Sequence, residues 1–106
     1  MWITINKNTI KSFIRKNKIK EIKIFLNWEF DGQIDAPRYI NEERVISVEN
    51  FLEDLTTYKE RIYYDSDDDA IYVYSSVFSY KIIDEKFEEL KKQMRAKAIV
   101  ISLNKW

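Results

Sequence analysis

Residues 20–30 read Lys20-Glu21-Ile22-Lys23-Ile24-Phe25-Leu26-Asn27-Trp28-Glu29-Phe30, with Asp31-Gly32 following. Ile22, Ile24, Leu26, Trp28 and Phe30 fall on one face of an extended chain. Glu21, Lys23, Asn27 and Glu29 fall on the other, with Phe25 among them. This period of two residues is that of a strand with one covered face, and it makes a sheet the organising element of the fold. Asp31-Gly32 favours a tight hairpin turn because glycine tolerates positive φ. A return strand is therefore expected near residues 33–36. Pro37 cannot donate to a ladder, so that strand should be short or at a sheet edge. A further short strand is read over residues 44–47.

Outward from this hairpin, residues 1–5 form a short strand. Asn8 or Thr9 then caps a helix whose Ile10, Phe13 and Ile14 follow the i, i+3, i+4 rule, and Asn17 ends it. Ser47 caps a second helix with Val48, Phe51, Leu52, Leu55 and Tyr58 inward. Residues 61–65 and 70–75 make a hairpin around Ser66-Asp67-Asp68-Asp69, and a strand follows over residues 77–83. Asp84 caps a third helix with Phe87, Leu90 and Met94 inward. Its acids come first and its bases last, which complements the helix dipole. The run Ala98-Ile99-Val100-Ile101-Ser102-Leu103 is apolar on both faces and reads as an interior strand. The expected architecture is α+β: a single-domain two-layer sandwich over residues 1–106. Three helices pack on a mixed, mostly antiparallel sheet of five to seven strands.

Composition narrows the chemistry. The chain has 106 residues with no His, no Cys, one Gly and one Pro, and is 45% hydrophobic and 15% aromatic. One core can form without metal or disulfide staples. The missing residues exclude a Ser-His-Asp triad, a Cys nucleophile, a His general base and a zinc site of the usual N/S kind. A single glycine, Gly32, excludes the P-loop and the GxGxxG fingerprint. No cofactor motif is written, and the reading is of a non-enzyme. No apolar run is long enough to span a membrane, and residues 1–5 lack the pattern of a signal peptide. A cytoplasmic location is the expectation, and zero cysteine fits a reducing compartment.

The net charge of zero hides segregation. Residues 1–30 carry seven bases and two acids, residues 31–90 six bases and sixteen acids, and residues 91–106 five bases and no acid. Two arrangements fit this pattern. Either the basic ends cluster and leave a dipolar surface, or the blocks pair across the sheet and the field cancels.

The most unusual local feature is the turn holding Asp65, Asp67, Asp68 and Asp69. Asp65, Asp67 and Asp69 match the start of a calcium loop. The loop then needs Gly and Glu where Ala70 and Ser76 stand, so the EF-hand pattern fails. No metal site is expected. A solvated hairpin tip is one reading of the turn; a negative protrusion is the other. In the hairpin register Tyr63, Tyr72 and Tyr74 share a face, which is opposite that of Ile62, Tyr64, Ile71 and Val73. Tyrosines beside carboxylates suit a protein-binding surface with a basic partner, or can imitate a phosphate backbone flanked by bases. Strand propensity alone also accounts for the tyrosines.

Two further candidates compete. Lys7, Lys11, Arg15 and Lys18 form a basic stripe on the first helix that, with the basic C-terminal segment, could meet nucleic acid. The stripe carries no aromatic interleaving. Glu21-Ile22-Lys23 has the E-x-K spacing of a metal nuclease, but residues 1–20 hold no acid to complete it. Trp2, Trp28 and Trp106 read as core or end-plugging anchors. Ile, Lys and Asn outnumber Leu, Arg and Ala, the usage of AT-rich genomes, which suits a phage or mobile-element product.

The leading expectation is thus a small protein that inhibits or neutralises a larger, nucleic-acid-handling protein through Asp65, Asp67, Asp68, Asp69, Tyr63, Tyr72 and Tyr74. Phage anti-defence proteins (anti-CRISPR or anti-restriction) and toxin-immunity proteins are of this class. The alternative is a nucleic-acid-binding protein using the basic segments.

Overall fold

The computed structural model describes residues 1–57 and 61–104, so the expected inward Tyr58 and the anchor Trp106 lie outside the described residues. The strands are β1 (Trp2–Thr4), β2 (Glu21–Asp31), β3 (Ala36–Ser47), β4 (Arg61–Asp65), β5 (Ala70–Tyr74) and β6 (Phe78–Ile82). The helices are α1 (Lys7–Lys16), α2 (Val48–Thr57) and α3 (Glu88–Leu103), the last entered through a 3-10 turn at Glu85–Phe87. All six strands form one antiparallel sheet in the order β1-β4-β5-β6-β2-β3. The three helices pack on the sheet, an α+β sandwich as expected.

Local chemistry explains most boundaries. The Asn6 side chain, not that of Asn8 or Thr9, accepts from the Asn8 N–H at 2.7 Å and starts α1 a few residues earlier than expected. Ile10, Phe13 and Ile14 are buried as the spacing required. Lys18 takes the left-handed conformation just after the helix, a position usually given to glycine. Ser47 Oγ accepts from the Asn50 N–H at 3.1 Å at the start of α2. Asp84 accepts from the Lys86 N–H at 3.0 Å and from the Lys23 N–H at 2.9 Å, tying the entry of α3 to β2.

Three expectations are corrected. Residues 33–36 and 44–47 are not separate strands. One twelve-residue strand, β3, runs through Pro37 and forms a sheet edge, where the missing N–H of proline costs no ladder bond on the open side. The turn before it places Asp35, not Gly32, at positive φ. Residues 98–103 are not an interior strand. They continue α3 to Leu103, because Ala98 extends the buried stripe of Leu90 and Met94 at helical spacing and half-buried Ile101 follows it. The β-branched residues there lose only a few tenths of a kcal/mol of helix propensity each. Ile99, Val100 and Leu103 are left exposed on the outer side of the helix.

The third correction concerns β2. Ile22, Ile24 and Leu26 face the helices as read. The pairing then slips. Leu26 opposes Tyr80 and Trp28 opposes the very next residue, Ser79, so Asn27 is an extra residue against β6. On the other side β3 inserts Ile40 and Asn41 between its partners of Leu26 and Trp28, with Asn41 at positive φ. The bulge turns Trp28 to the side opposite Leu26, where its ring meets Tyr74 edge-on with centroids 6.2 Å apart.

Candidate functional site

One face of the sheet is covered by helices; the other carries no element of the described chain. Alternation along each strand decides what stands on that outer face. Ile3, Ile62, Tyr64, Ile71, Val73, Tyr80 and Ile82 belong to the buried core with the helices. Their neighbours therefore point outward. In register across the sheet, Tyr63 opposes Tyr72, Tyr72 opposes Lys81, and Lys81 opposes Phe25. One step along, Tyr74, Ser79, Trp28 and Tyr39 follow one another.

The rings interact as a row. Trp2 stacks on Tyr63 with centroids 4.8 Å apart, and Tyr63 stacks on Tyr72 at 5.4 Å. Farther across, the Lys81 ammonium lies 5.8 Å from the Phe25 ring centroid. A hollow of about 390 Å³ opens beside the row, lined by Trp2, Thr4, Arg61, Tyr63 and Tyr74.

The acidic turn divides between two sides. Asp65 Oδ2 accepts from Trp2 Nε1 at 3.1 Å, and Asp68 Oδ2 accepts from the Tyr72 hydroxyl at 2.8 Å, so both carboxylates are held at ring edges of the outer face. Asp67 stands at the apex, its side chain 84% exposed, with the Met1 amino group 3.6 Å away. Asp69 turns to the helices. It takes a bidentate pair from Arg95, Nε to Oδ1 at 3.1 Å and Nη2 to Oδ2 at 2.8 Å, and it accepts from the buried Tyr64 hydroxyl. Lys91 Nζ lies 3.9 Å from the same carboxylate.

These neighbours move the titrations. The hydrogen bonds from Arg95 and then Tyr64 hold the Asp69 carboxyl below its ordinary 3.8. Burial pushes Asp84 up, but the N–H groups of Lys23 and Lys86 and the Lys86 ammonium outweigh it and leave Asp84 below 3.8 as well. Burial, followed by the Asp68 hydrogen bond and charge, raises the Tyr72 hydroxyl to about 12, so it stays a donor at neutral pH. Asp69 and Asp84 have lower pKa values folded than unfolded. Their contribution to stability is full above the unfolded value and is lost as pH falls through the folded one. Thermal unfolding followed from about pH 6 to about pH 3 should show a melting temperature that declines in the acid arm. The decline should be shallower in Asp69→Asn, whose melting temperature starts lower.

The basic stripe is placed elsewhere. Lys7 Nζ donates to the Leu55 carbonyl at 2.9 Å, docking α1 on the C-terminal turn of α2. Lys11 and Arg15 lie on α1, in the helix layer across the sheet from the aromatic face, and Lys18 follows in the turn after it. In the basic C-terminal segment, Arg95 is paired with Asp69 and Lys91 with Glu88 at 2.9 Å. The structure thus does not bring the two basic candidates onto one surface with the rings.

Glu21 and Lys23 line a depression of about 450 Å³ that also holds Asp84, Glu85 and Lys86. Asp84, distant in sequence, lines the same depression, and its oxygens accept from the N–H groups of Lys23 and Lys86. Among the described residues no group of three or more acids is arranged to hold a metal ion.

The hairpin register joins Tyr63, Tyr72 and Tyr74 with the acidic turn, and the period of β2 puts Phe25 on its uncovered face. Tyr39 is not reached by either, and Trp2 and Trp28, expected as core or end-plugging anchors, stand instead on this outer face. Trp2 was legible: it alternates with Ile3 in the same way that Thr4 does. Trp28 was not, because the bulge reverses its face. Comparison of the chain with protein-family models, with curated proteins and with solved structures finds no match in any of the three.

Proposed function

We propose that this chain is a non-enzymatic binding protein whose working surface is the outer face of its sheet, and whose partner is a larger protein with a basic surface or groove. The observation that supports this reading is the ring row Trp2-Tyr63-Tyr72 with the carboxylates of Asp65 and Asp68 fixed at its edges. Rigid aromatic side chains give large contact area at small entropic cost, and the acids steer a positive partner and set its orientation. A groove that normally holds a polyanion is the best match, since carboxylates beside flat rings offer it the chemistry of phosphates beside bases. Occupying such a groove inhibits a nucleic-acid-handling protein, the mode of action of anti-defence and immunity proteins. Asp65, Asp67 and Asp68 do this work; Asp69 serves the fold.

The test separates these roles. The partner is captured from the native host and identified by mass spectrometry, and association is then measured at low salt. The variant carrying Asp65→Asn, Asp67→Asn and Asp68→Asn should associate about tenfold more slowly, with its melting temperature little changed. Asp69→Asn should bind like the parent and lose about 1 kcal/mol of stability. A triple variant that binds as fast and as tightly as the parent overturns the proposal.

A further inference from the structure

The reading of the outer face as a surface for a basic partner leaves open which cation it takes, and the inference below rests on that reading. Trp2 is the residue that discriminates. Its side chain is 70% exposed although it is the largest apolar group of β1. It is nevertheless held: Tyr63 packs on one side of the indole, and Nε1 donates to Asp65. An exposed tryptophan that is already fixed loses little freedom when something docks on it, which is the profile of a binding anchor. Among the described strands β1 is at the sheet edge.

We propose that Trp2 and Asp65 form an arginine-reading site, with Tyr63, Tyr72 and Asp68 as its continuation along the sheet. Three observations carry this. The indole is the aromatic ring with the strongest attraction for a cation, and a planar guanidinium stacks on it with more contact than a compact ammonium. A carboxylate sits at the edge of that ring; its Oδ2 accepts from Trp2 Nε1 and its Oδ1 from the Asp67 N–H, and the second lone pair of each oxygen is what the N–H fork of a stacked guanidinium can meet. The same sheet face already places a cation over a ring, Lys81 above Phe25. Arg61, at the opposite end of β4 from Asp65, lines the hollow beside Trp2, and its charge favours a docking cation on the Asp65 side of the indole. An ammonium gains the charge term alone; a guanidinium gains stacking and a second hydrogen bond.

The test uses hexa-arginine and hexa-lysine peptides at equal ionic strength, with the indole N–H resonance of Trp2, assigned through Trp2→Phe, as the readout. Hexa-arginine should bind about fivefold or more tightly than hexa-lysine and should shift that resonance. Trp2→Leu should remove the preference while leaving weak binding of both peptides, and its backbone amide spectrum should show an intact fold. Trp2→Phe, which keeps a ring but loses the Nε1 donor, should retain part of the preference. Equal affinities for the two peptides overturn the arginine site and leave the basic-partner reading standing. No binding of either peptide overturns both. A single-stranded oligonucleotide that moves the Trp2 resonance when hexa-arginine does not also overturns both, and points to nucleic acid.

Discussion

Truncating Phe87 to alanine should lower the free energy of unfolding by about 3–5 kcal/mol, a large part of the roughly 5–15 kcal/mol that a domain commonly has. Phe87 is fully buried at the end of the 3-10 turn, and its ring lies 5.4 Å from that of Phe13 on α1. It sits three residues after Asp84, whose carboxylate binds the turn to β2. One ring therefore joins α1, the start of α3 and the sheet. Asp84 holds the turn on one side and α3 begins on the other, which limits how far the backbone can close on the space. The cavity term should be close to its full value. Urea denaturation of Phe87→Ala should show a lower midpoint with an unchanged slope. A loss under about 1 kcal/mol would mean that the ring does not fill this junction.

Tyr64 should show the second large effect, and in a graded way. It is among the largest fully buried side chains, and its hydroxyl donates to Asp69, which Arg95 grips from α3. Tyr64→Ala should cost about 3–5 kcal/mol, since a whole ring leaves the core between β4 and the helices. Tyr64→Phe keeps the ring and removes one donor. Asp69 retains the Arg95 guanidinium, so the cost should be about 0.5–1.5 kcal/mol. Combining Tyr64→Phe with Arg95→Ala should be non-additive, because the two groups satisfy one carboxylate. Additive losses in that cycle would show that Tyr64 and Arg95 act on Asp69 independently.

How far residue patterns predict this molecule depends on the range of the force involved. The covered face of β2 up to Leu26, the inward stripe of α1 and the hairpin of β4 and β5 all follow from period and local turn chemistry, and all stand where the pattern puts them. Failures occur where a distant contact decides. The C-terminal half of α3 reads as a strand in isolation, since Ile99, Val100 and Ile101 are β-branched. It is helical because Ala98 and Ile101 continue a stripe begun at Leu90. The acidic turn reads as four equivalent carboxylates. Arg95, twenty-six positions away in sequence, claims Asp69 and leaves Asp65, Asp67 and Asp68 as the negative side of the candidate site. The tyrosine face was legible from the hairpin register. Its extension to Trp2 needed the pairing of β1 with β4, and its extension to Trp28 needed the bulge.

The slip at Asn27 also bears on how such a surface changes by descent. Deleting that codon in frame would make Trp28 the direct successor of Leu26 and keep it opposite Ser79 on the outer face, with Ile22, Ile24 and Leu26 undisturbed. A lineage can thus lose or regain the kink in β2 in one genetic event while the side chains on either side of it keep their faces.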